Sequence, residues 1–176
     1  MNDGIKYHKT SYSLWLMPEL KVKNIFQTMI NQLAKKYGGP VFEPHITLLS
    51  SFKGDEETLL KKTEILSQKL KSFKINFKEP RYLNEFFRSL FIAVDYSPEL
   101  KIVRNIASKQ FIYKDKDYIP HLSLMYGNYS IESKKKIIFN IKYFPRIFKV
   151  NKIYLAHNNE IKYKWRVIRC FKLKNE

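Results

Sequence analysis

Cysteine is almost missing from this chain. Of 176 residues only Cys170 is one, which excludes a disulfide framework and a cysteine-based zinc site. A reducing compartment is therefore expected, cytoplasmic or nuclear. Glycine is scarce as well, with 5 residues, and no glycine-rich phosphate loop can be built from them. No apolar run reaches the ~18 residues of a membrane span, so no membrane partner is expected. Residues 1–10 read as a polar tail without the apolar stretch of a signal peptide. Acidic residues are the last shortage: 16 Asp and Glu face 33 Lys and Arg, a formal net charge of +17.

What remains is enough for a core. Apolar residues make up 44% of the chain, and a domain of this length buries roughly 70% of its unfolded surface. A single domain over residues 1–176, acting as a monomer, is expected. The charge points to anionic partners such as nucleotides or RNA. Yet only 6 of the basic residues are Arg, and an AT-rich coding sequence would give the same mix. The excess lies late in the chain. Residues 134–174 hold 13 Lys and Arg against Glu160 alone. Contact with RNA through this basic C-terminal half is one expectation. The Lys134-Lys135-Lys136 run reads as a solvated helix face.

Hydrophobic periodicity places the elements. Tyr12 to Met17 alternates as a strand ended by Pro18. Val22, Ile25, Phe26, Met29, Ile30, Leu33, Ala34 and Tyr37 recur at helical spacing, and Gly38-Gly39-Pro40 stops that helix. Ile46 to Phe52 is a β-prone run, and a helix follows Asp55. Phe73 to Phe77 alternates, and Leu90 to Val94 reads as a buried strand. Ser97-Pro98-Glu99 opens a third helix. His121 to Tyr126 is another strand, and a fourth helix follows Ser130. Two strands close the chain. In the last, Tyr163, Trp165 and Val167 alternate with Lys162, Lys164 and Arg166, and the pattern slips at Ile168-Arg169, as at a bulge or edge. Hairpin-like connections favour an α+β fold with antiparallel sheets over a doubly wound one.

One pattern occurs twice. Phe42-Glu43-Pro44-His45-Ile46-Thr47-Leu48-Leu49 matches Tyr118-Ile119-Pro120-His121-Leu122-Ser123-Leu124-Met125. Each runs aromatic, any, Pro, His, apolar, hydroxyl, Leu, apolar. On a strand, residues i and i+2 share a face, so His45 lies beside Thr47 and His121 beside Ser123. A duplication would give two pseudo-twofold-related lobes, helices outside, with both imidazoles on a central cleft. His8-Lys9-Thr10 shares the spacing but lacks the proline and the apolar frame. An imidazole pKa near 6.5 suits either proton role at neutral pH. Two histidines flanking a phosphorus supply a general base and a general acid, and the two hydroxyls would hold non-bridging oxygens. Which histidine is which stays open at this level.

The paired motifs resemble those of the two-histidine phosphoesterase superfamily. Ser13-Leu14-Trp15-Leu16-Met17-Pro18, Phe86-Phe87-Arg88-Ser89-Leu90-Phe91 and Pro120 to Gly127 further resemble the fungal and plant cyclic nucleotide phosphodiesterases. The resemblance spans about residues 11–174. It implies a bilobal α+β fold and metal-independent hydrolysis of nucleoside 2′,3′-cyclic phosphates, or of ADP-ribose 1″,2″-cyclic phosphate, to 2′-phosphates. It implies catalytic roles for His45 and His121 and phosphate contacts for Thr47 and Ser123. Trp15 and Tyr126 match aromatic positions lining the substrate site. Arg88 is a further candidate for neutralising phosphate. No cofactor or metal is implied, and the small cyclic phosphate or RNA end is the expected partner. The plant members' several cysteines have no counterpart beyond Cys170.

Rival readings make distinct predictions. A 2′,5′-phosphodiesterase of the same superfamily would prefer oligoadenylate or RNA ends. A non-catalytic RNA-binding protein would bind without either histidine. A metallohydrolase would need three or more ligands per metal, and hydroxyls two residues from each His are poor ones.

Overall fold

A computed structural model describes residues 10–115, 117–159 and 164–175. Residues 1–9 of the polar tail, His8 among them, lie outside the described residues, as do Lys162 and Tyr163 of the final alternation, whereas Thr10 belongs to the first strand.

Each half of the chain starts with the same run of elements. The first contains β1 (Thr10–Leu16), α1 (Leu20–Tyr37), β2 (Ile46–Phe52), α2 (Glu56–Lys69) and β3 (Phe73–Arg81). The second contains β4 (Leu90–Val94), α3 (Pro98–Phe111), β5 (His121–Met125) and α4 (Ile131–Asn140). It ends in β6 (Ile147–Val150), β7 (Lys152–Asn159) and β8 (Lys164–Lys172). All pairings between these strands are antiparallel. They join in one curled eight-stranded sheet of order β6-β3-β4-β5-β2-β1-β7-β8. From the centre outward the order reads β5-β4-β3-β6 on one side and β2-β1-β7-β8 on the other. These are the two lobes expected from the repeat.

Strands are exchanged between the repeats. β3, from the first repeat, pairs with β4, while β7, from the second, pairs with β1. The helices cross over too: α1 packs on β5 and α3 on β2. Phe26 and Ile30 of α1, Leu66 of α2 and Leu100 of α3 are all but fully buried against Leu14, Leu48, Ile92 and Leu122 from the sheet.

Local chemistry sets the helix ends. Asp55, Ser97 and Ser130 each accept a hydrogen bond from a backbone N–H three residues on, capping α2, α3 and α4. Helix α1 ends at Gly38 and Gly39, with φ of 79° and 100°, values that side chains with a Cβ seldom adopt. The Tyr129 hydroxyl donates to Gly38 O at 2.8 Å, tying the end of α1 to the loop after β5.

Two expectations need correction. Three strands close the chain rather than two. The four-residue β6 was too short to show in the alternation, and one residue separates it from β7. Lys134 is also not solvated. It is 2% exposed, and its Nζ donates to Leu83 O at 2.9 Å and Asn84 Oδ1 at 3.3 Å. Periodicity cannot distinguish a solvated lysine from one whose ammonium meets carbonyls across an interface. The slip at Ile168-Arg169 is a bulge: Leu155 faces Arg169 and Ala156 faces Val167, leaving Ile168 as the extra residue.

Candidate active site

The two proline–histidine motifs meet where the lobes join. Ile46 faces Leu122 in the pairing of β2 with β5. One step either side, that antiparallel register sets His45 opposite Ser123 and Thr47 opposite His121. The pseudo-twofold axis thus runs between the motifs. His45, Thr47 and His121 line one cleft of about 330 Å3, together with Trp15, Tyr126 and Arg88.

Both imidazoles are held in one tautomer. His45 Nδ1 lies 2.6 Å from Glu43 O, and His121 Nδ1 lies 2.6 Å from Ile119 O. A carbonyl oxygen only accepts, so each Nδ1 carries hydrogen and donates. The remaining ring nitrogen, Nε2, is left for proton transfer. Pro44 and Pro120 stand between each carbonyl and its histidine, and their fixed φ restricts the turn that brings the two together.

An aromatic backs each histidine. Trp15 stacks on His45 at 3.7 Å and 12°, and Phe91 meets His121 edge-on at 5.1 Å and 60°. Trp15 faces Thr47 in the β1–β2 pairing, and Phe91 faces Ser123 in β4–β5. Trp15 and Phe91 are as far apart in the chain as His45 and His121. The duplication therefore extends to Ser13-Leu14-Trp15-Leu16 and Ser89-Leu90-Phe91-Ile92. Phe91 had no assigned role in the sequence reading, and this shared offset was the signal for it. Trp15 is both a core aromatic, 2% exposed, and a wall of the cleft.

The imidazoles differ in environment. His45 is buried, and loss of solvent pushes its pKa down to about 4, against the hydrogen bond to Glu43; the His121 charge adds to the fall. Burial also lowers His121, helped by Arg88 and opposed by the hydrogen bond to Ile119 and by Glu85. Burial drives the Tyr126 hydroxyl up to about 12, so it stays protonated and can donate.

The other candidates are placed as follows. Arg88 lines the cleft but is paired with Glu85 at 2.7 Å, which offsets part of its charge. Ser123 is 4% exposed and its Oγ donates to Phe87 O at 3.2 Å. Its hydroxyl is engaged there and not among the groups lining the cleft.

The cleft's two ends are unlike. One is aromatic: Phe42 stacks on Tyr126 at 3.9 Å, and Trp165 approaches Tyr126 at 5.5 Å. The other is polar and holds Ser50, Ser51, Asp115, Asp117 and Tyr118. There Arg104 pairs with Asp115 and lies 3.8 Å over the Tyr118 ring, whose hydroxyl donates to Thr47 O at 3.0 Å. Ser50 and Ser51 fall in a bulge between β1 and β2, with Ser51 at φ 55°. Trp165, Asp115 and Arg104 went unassigned because no motif marks them.

Lys134 anchors the strap, residues 82–88, that carries Phe87 and Arg88 to the cleft. Lys134→Met keeps the volume but removes the bonds to Leu83 O and Asn84. Losing such buried bonds costs roughly 1–3 kcal/mol. A lower melting temperature with KM raised more than kcat is lowered is the expected result. Unchanged KM and stability would show that the strap is held by other contacts.

A two-lobed antiparallel half-barrel, with one Nδ1-anchored histidine from each repeat on a shared cleft, defines a two-histidine phosphoesterase. The family model described as cyclic phosphodiesterase-like protein matches residues 10–173. The chain belongs to that family and is a phosphodiesterase. It is 27% identical to the cyclic phosphodiesterase of Arabidopsis thaliana over 128 residues, 72% of this chain and 71% of that protein. The fold resembles that of TT0787 of Thermus thermophilus, with TM-score 0.66 and 15% identity over 94% of this chain and 99% of that one. It also resembles Escherichia coli LigT complexed with 3′-AMP, with TM-score 0.63 and 13% identity over 94% and 99%. Family membership sets aside the reading as a non-catalytic RNA-binding protein. Among the described residues, no helix is long and apolar enough to cross a membrane.

Proposed function

We propose that this phosphodiesterase hydrolyses 2′,3′-cyclic phosphates of ribonucleosides to 2′-phosphates, without a metal. The supporting observation is the pair of imidazoles anchored through Nδ1, each with Nε2 left for the cleft. Hydrolysis needs one proton removed and one delivered on opposite sides of phosphorus. A matched pair supplies both.

Unequal burial supports an assignment of the roles. His45, buried and with its pKa pushed down to about 4, is the neutral base and takes a proton from water as the water oxygen bonds to phosphorus. His121, in its protonated form, gives a proton to O3′ as the P–O3′ bond breaks. The phosphate stays on O2′. Thr47 and Tyr126 donate to the non-bridging oxygens where charge is held. Ser123 joins them by turning its hydroxyl away from Phe87 O. The aromatic end, with Tyr126, Phe42 and Trp165, accepts the base by stacking. That LigT is found complexed with 3′-AMP is consistent with a nucleotide in a cleft of this fold.

The test is turnover of 2′,3′-cyclic AMP, ADP-ribose cyclic phosphate and 2′,5′-oligoadenylate, each with EDTA. The expected result is hydrolysis of the 2′,3′-cyclic phosphate at an undiminished rate, with a 2′-phosphate product. Loss of activity on chelation would overturn the metal-free mechanism. Preference for the oligoadenylate would move the enzyme to the 2′,5′-specific class.

A further inference from the structure

The polar end of the cleft holds groups that the proposed chemistry does not use. Ser13 lines it two residues from Trp15 on β1, and Ser50 and Ser51 stand opposite Ser13 in the bulge of β2. Ser51 has φ of 55°, a conformation that strains a residue with a Cβ and recurs at ligand sites. Asn158, from β7, also lines the cleft and is 6% exposed. Its Nδ2 donates to the hydroxyls of Ser11 and Ser13. Its buried Oδ1 has no hydrogen-bond partner among the described residues. A buried acceptor without a donor is unfavourable, and a ligand that brings a donor removes the penalty. Two carboxylates share this end. Asp115 is matched by Arg104, whereas Asp117 has no ion-pair partner among the described residues.

We infer that Asp117 and Asn158 form a pocket for the 5′-hydroxyl of the reacting ribose, so that the enzyme selects nucleoside cyclic phosphates whose 5′ oxygen carries no phosphate. This rests on the proposed cyclic-phosphate chemistry. A ribose held by its 2′,3′ edge has the base on C1′, beside C2′, and the 5′ carbon on C4′, beside C3′. The two substituents therefore leave toward opposite ends of the cleft. With the base stacked at the aromatic end, the 5′ carbon is directed to the polar end. The leaving O3′ lies on that same side, and Asp117 stands four residues before His121, the proposed acid. The chemistry of the pocket then selects its occupant. A carboxylate and an amide oxygen only accept hydrogen bonds. A hydroxyl supplies the hydrogen they need, and the serine hydroxyls opposite can donate to its oxygen. An ionised phosphate ester supplies no hydrogen and meets the charge of Asp117. Arg88 and Arg104 are already paired, so neither offsets that repulsion. Discrimination of this kind comes from an unmatched charge and an unfilled acceptor set against the wrong substrate.

The experiment compares kcat/KM for adenosine 2′,3′-cyclic phosphate with that for its 5′-deoxy analogue, its 5′-phosphate and the analogue whose base lacks the exocyclic amine. It uses the wild type, Asp117→Asn and Asn158→Leu. Each preference is a ratio taken within one protein, so partial misfolding of a variant cancels. Wild type is expected to favour the 5′-hydroxyl over the 5′-deoxy analogue and over the 5′-phosphate by at least about tenfold, because a site built to hydrogen-bond a hydroxyl rejects a substrate lacking it. Asp117→Asn keeps an acceptor but loses the charge. It should admit the 5′-phosphate several-fold better, and added salt should do the same for the wild type. Asn158→Leu should bring the 5′-hydroxyl and 5′-deoxy substrates within about threefold of each other. Equal wild-type rates on those two substrates overturn the pocket, as does a discrimination against the 5′-phosphate that survives in Asp117→Asn. A large loss on removing the exocyclic amine, with none on removing the 5′-hydroxyl, would seat the base at the polar end and overturn the assignment. Failure to turn over any cyclic phosphate would instead sink the proposed chemistry itself.

Discussion

His45→Asn and His121→Asn are each expected to lower kcat by ~10²–10⁴-fold, with nucleoside 2′-phosphate still binding within a few-fold of wild type. Asparagine is chosen because its amide nitrogen can keep the bond that Nδ1 makes to Glu43 O or Ile119 O. Only the Nε2 function is then removed. The double variant should be little worse than either single one, because in the proposed mechanism base and acid act in one transfer and their losses do not add. Steady-state kinetics with circular dichroism as a folding control decides the matter. Either single variant retaining more than a tenth of wild-type kcat would show that its imidazole transfers no proton. The two should also differ in pH dependence. For wild type, kcat/KM reports the free enzyme, with an acid limb set by His45 near pH 4 and an alkaline limb set by His121 below 6.5. A maximum on the acid side of neutrality follows. His45→Asn should abolish the acid limb and His121→Asn the alkaline one.

The second large effect is on stability, and it comes from the same His45. Its pKa is about 4 in the folded chain and near 6.5 when unfolded. Between those values the unfolded state binds more protons, so stability falls as pH falls and is fully present only above 6.5. The interval corresponds to roughly 3 kcal/mol, a large part of a typical domain's stability. Urea unfolding at pH 7, 5.5 and 4 measures it. With a net charge of +17, general repulsion also grows in acid, so the comparison with His45→Asn isolates the histidine. The variant should be less sensitive to acid than the wild type by about that amount. Parallel pH dependences for the two proteins would show that His45 titrates alike in both states.

The sequence carried much of this because a duplication writes its signal twice. The helix from Val22 to Tyr37, the strand from Leu90 to Val94 and the bulge at Ile168 all left marks in hydrophobic order. The eight-residue match located both histidines and the Thr47 and Ser123 positions beside them. It could not show the anchoring of Nδ1, because a hydrogen bond to a carbonyl two residues back depends on the turn at Pro44 and Pro120. Nor could it rank the histidines, since Trp15 covers His45 only once β1 is paired with β2. Residues from elements without a motif, such as Trp165 on the edge strand and Asp115 after α3, reach the cleft through sheet curvature and helix packing. Lys134 was misplaced for the same reason: its partners are fifty positions away.

The exchange of strands makes each repeat depend on the other. A single repeat standing alone would hold β1 without its β7 partner, and α1 without the β5 surface it packs on. Two copies would repair both faults at once by trading strands and helices across a twofold axis. One histidine from each would then fall in the same cleft. Neither repeat can build the cleft alone, since each contributes one histidine to it. The two imidazoles are nevertheless inequivalent, and the unequal burial of His45 and His121 is an asymmetry that a strict twofold would forbid.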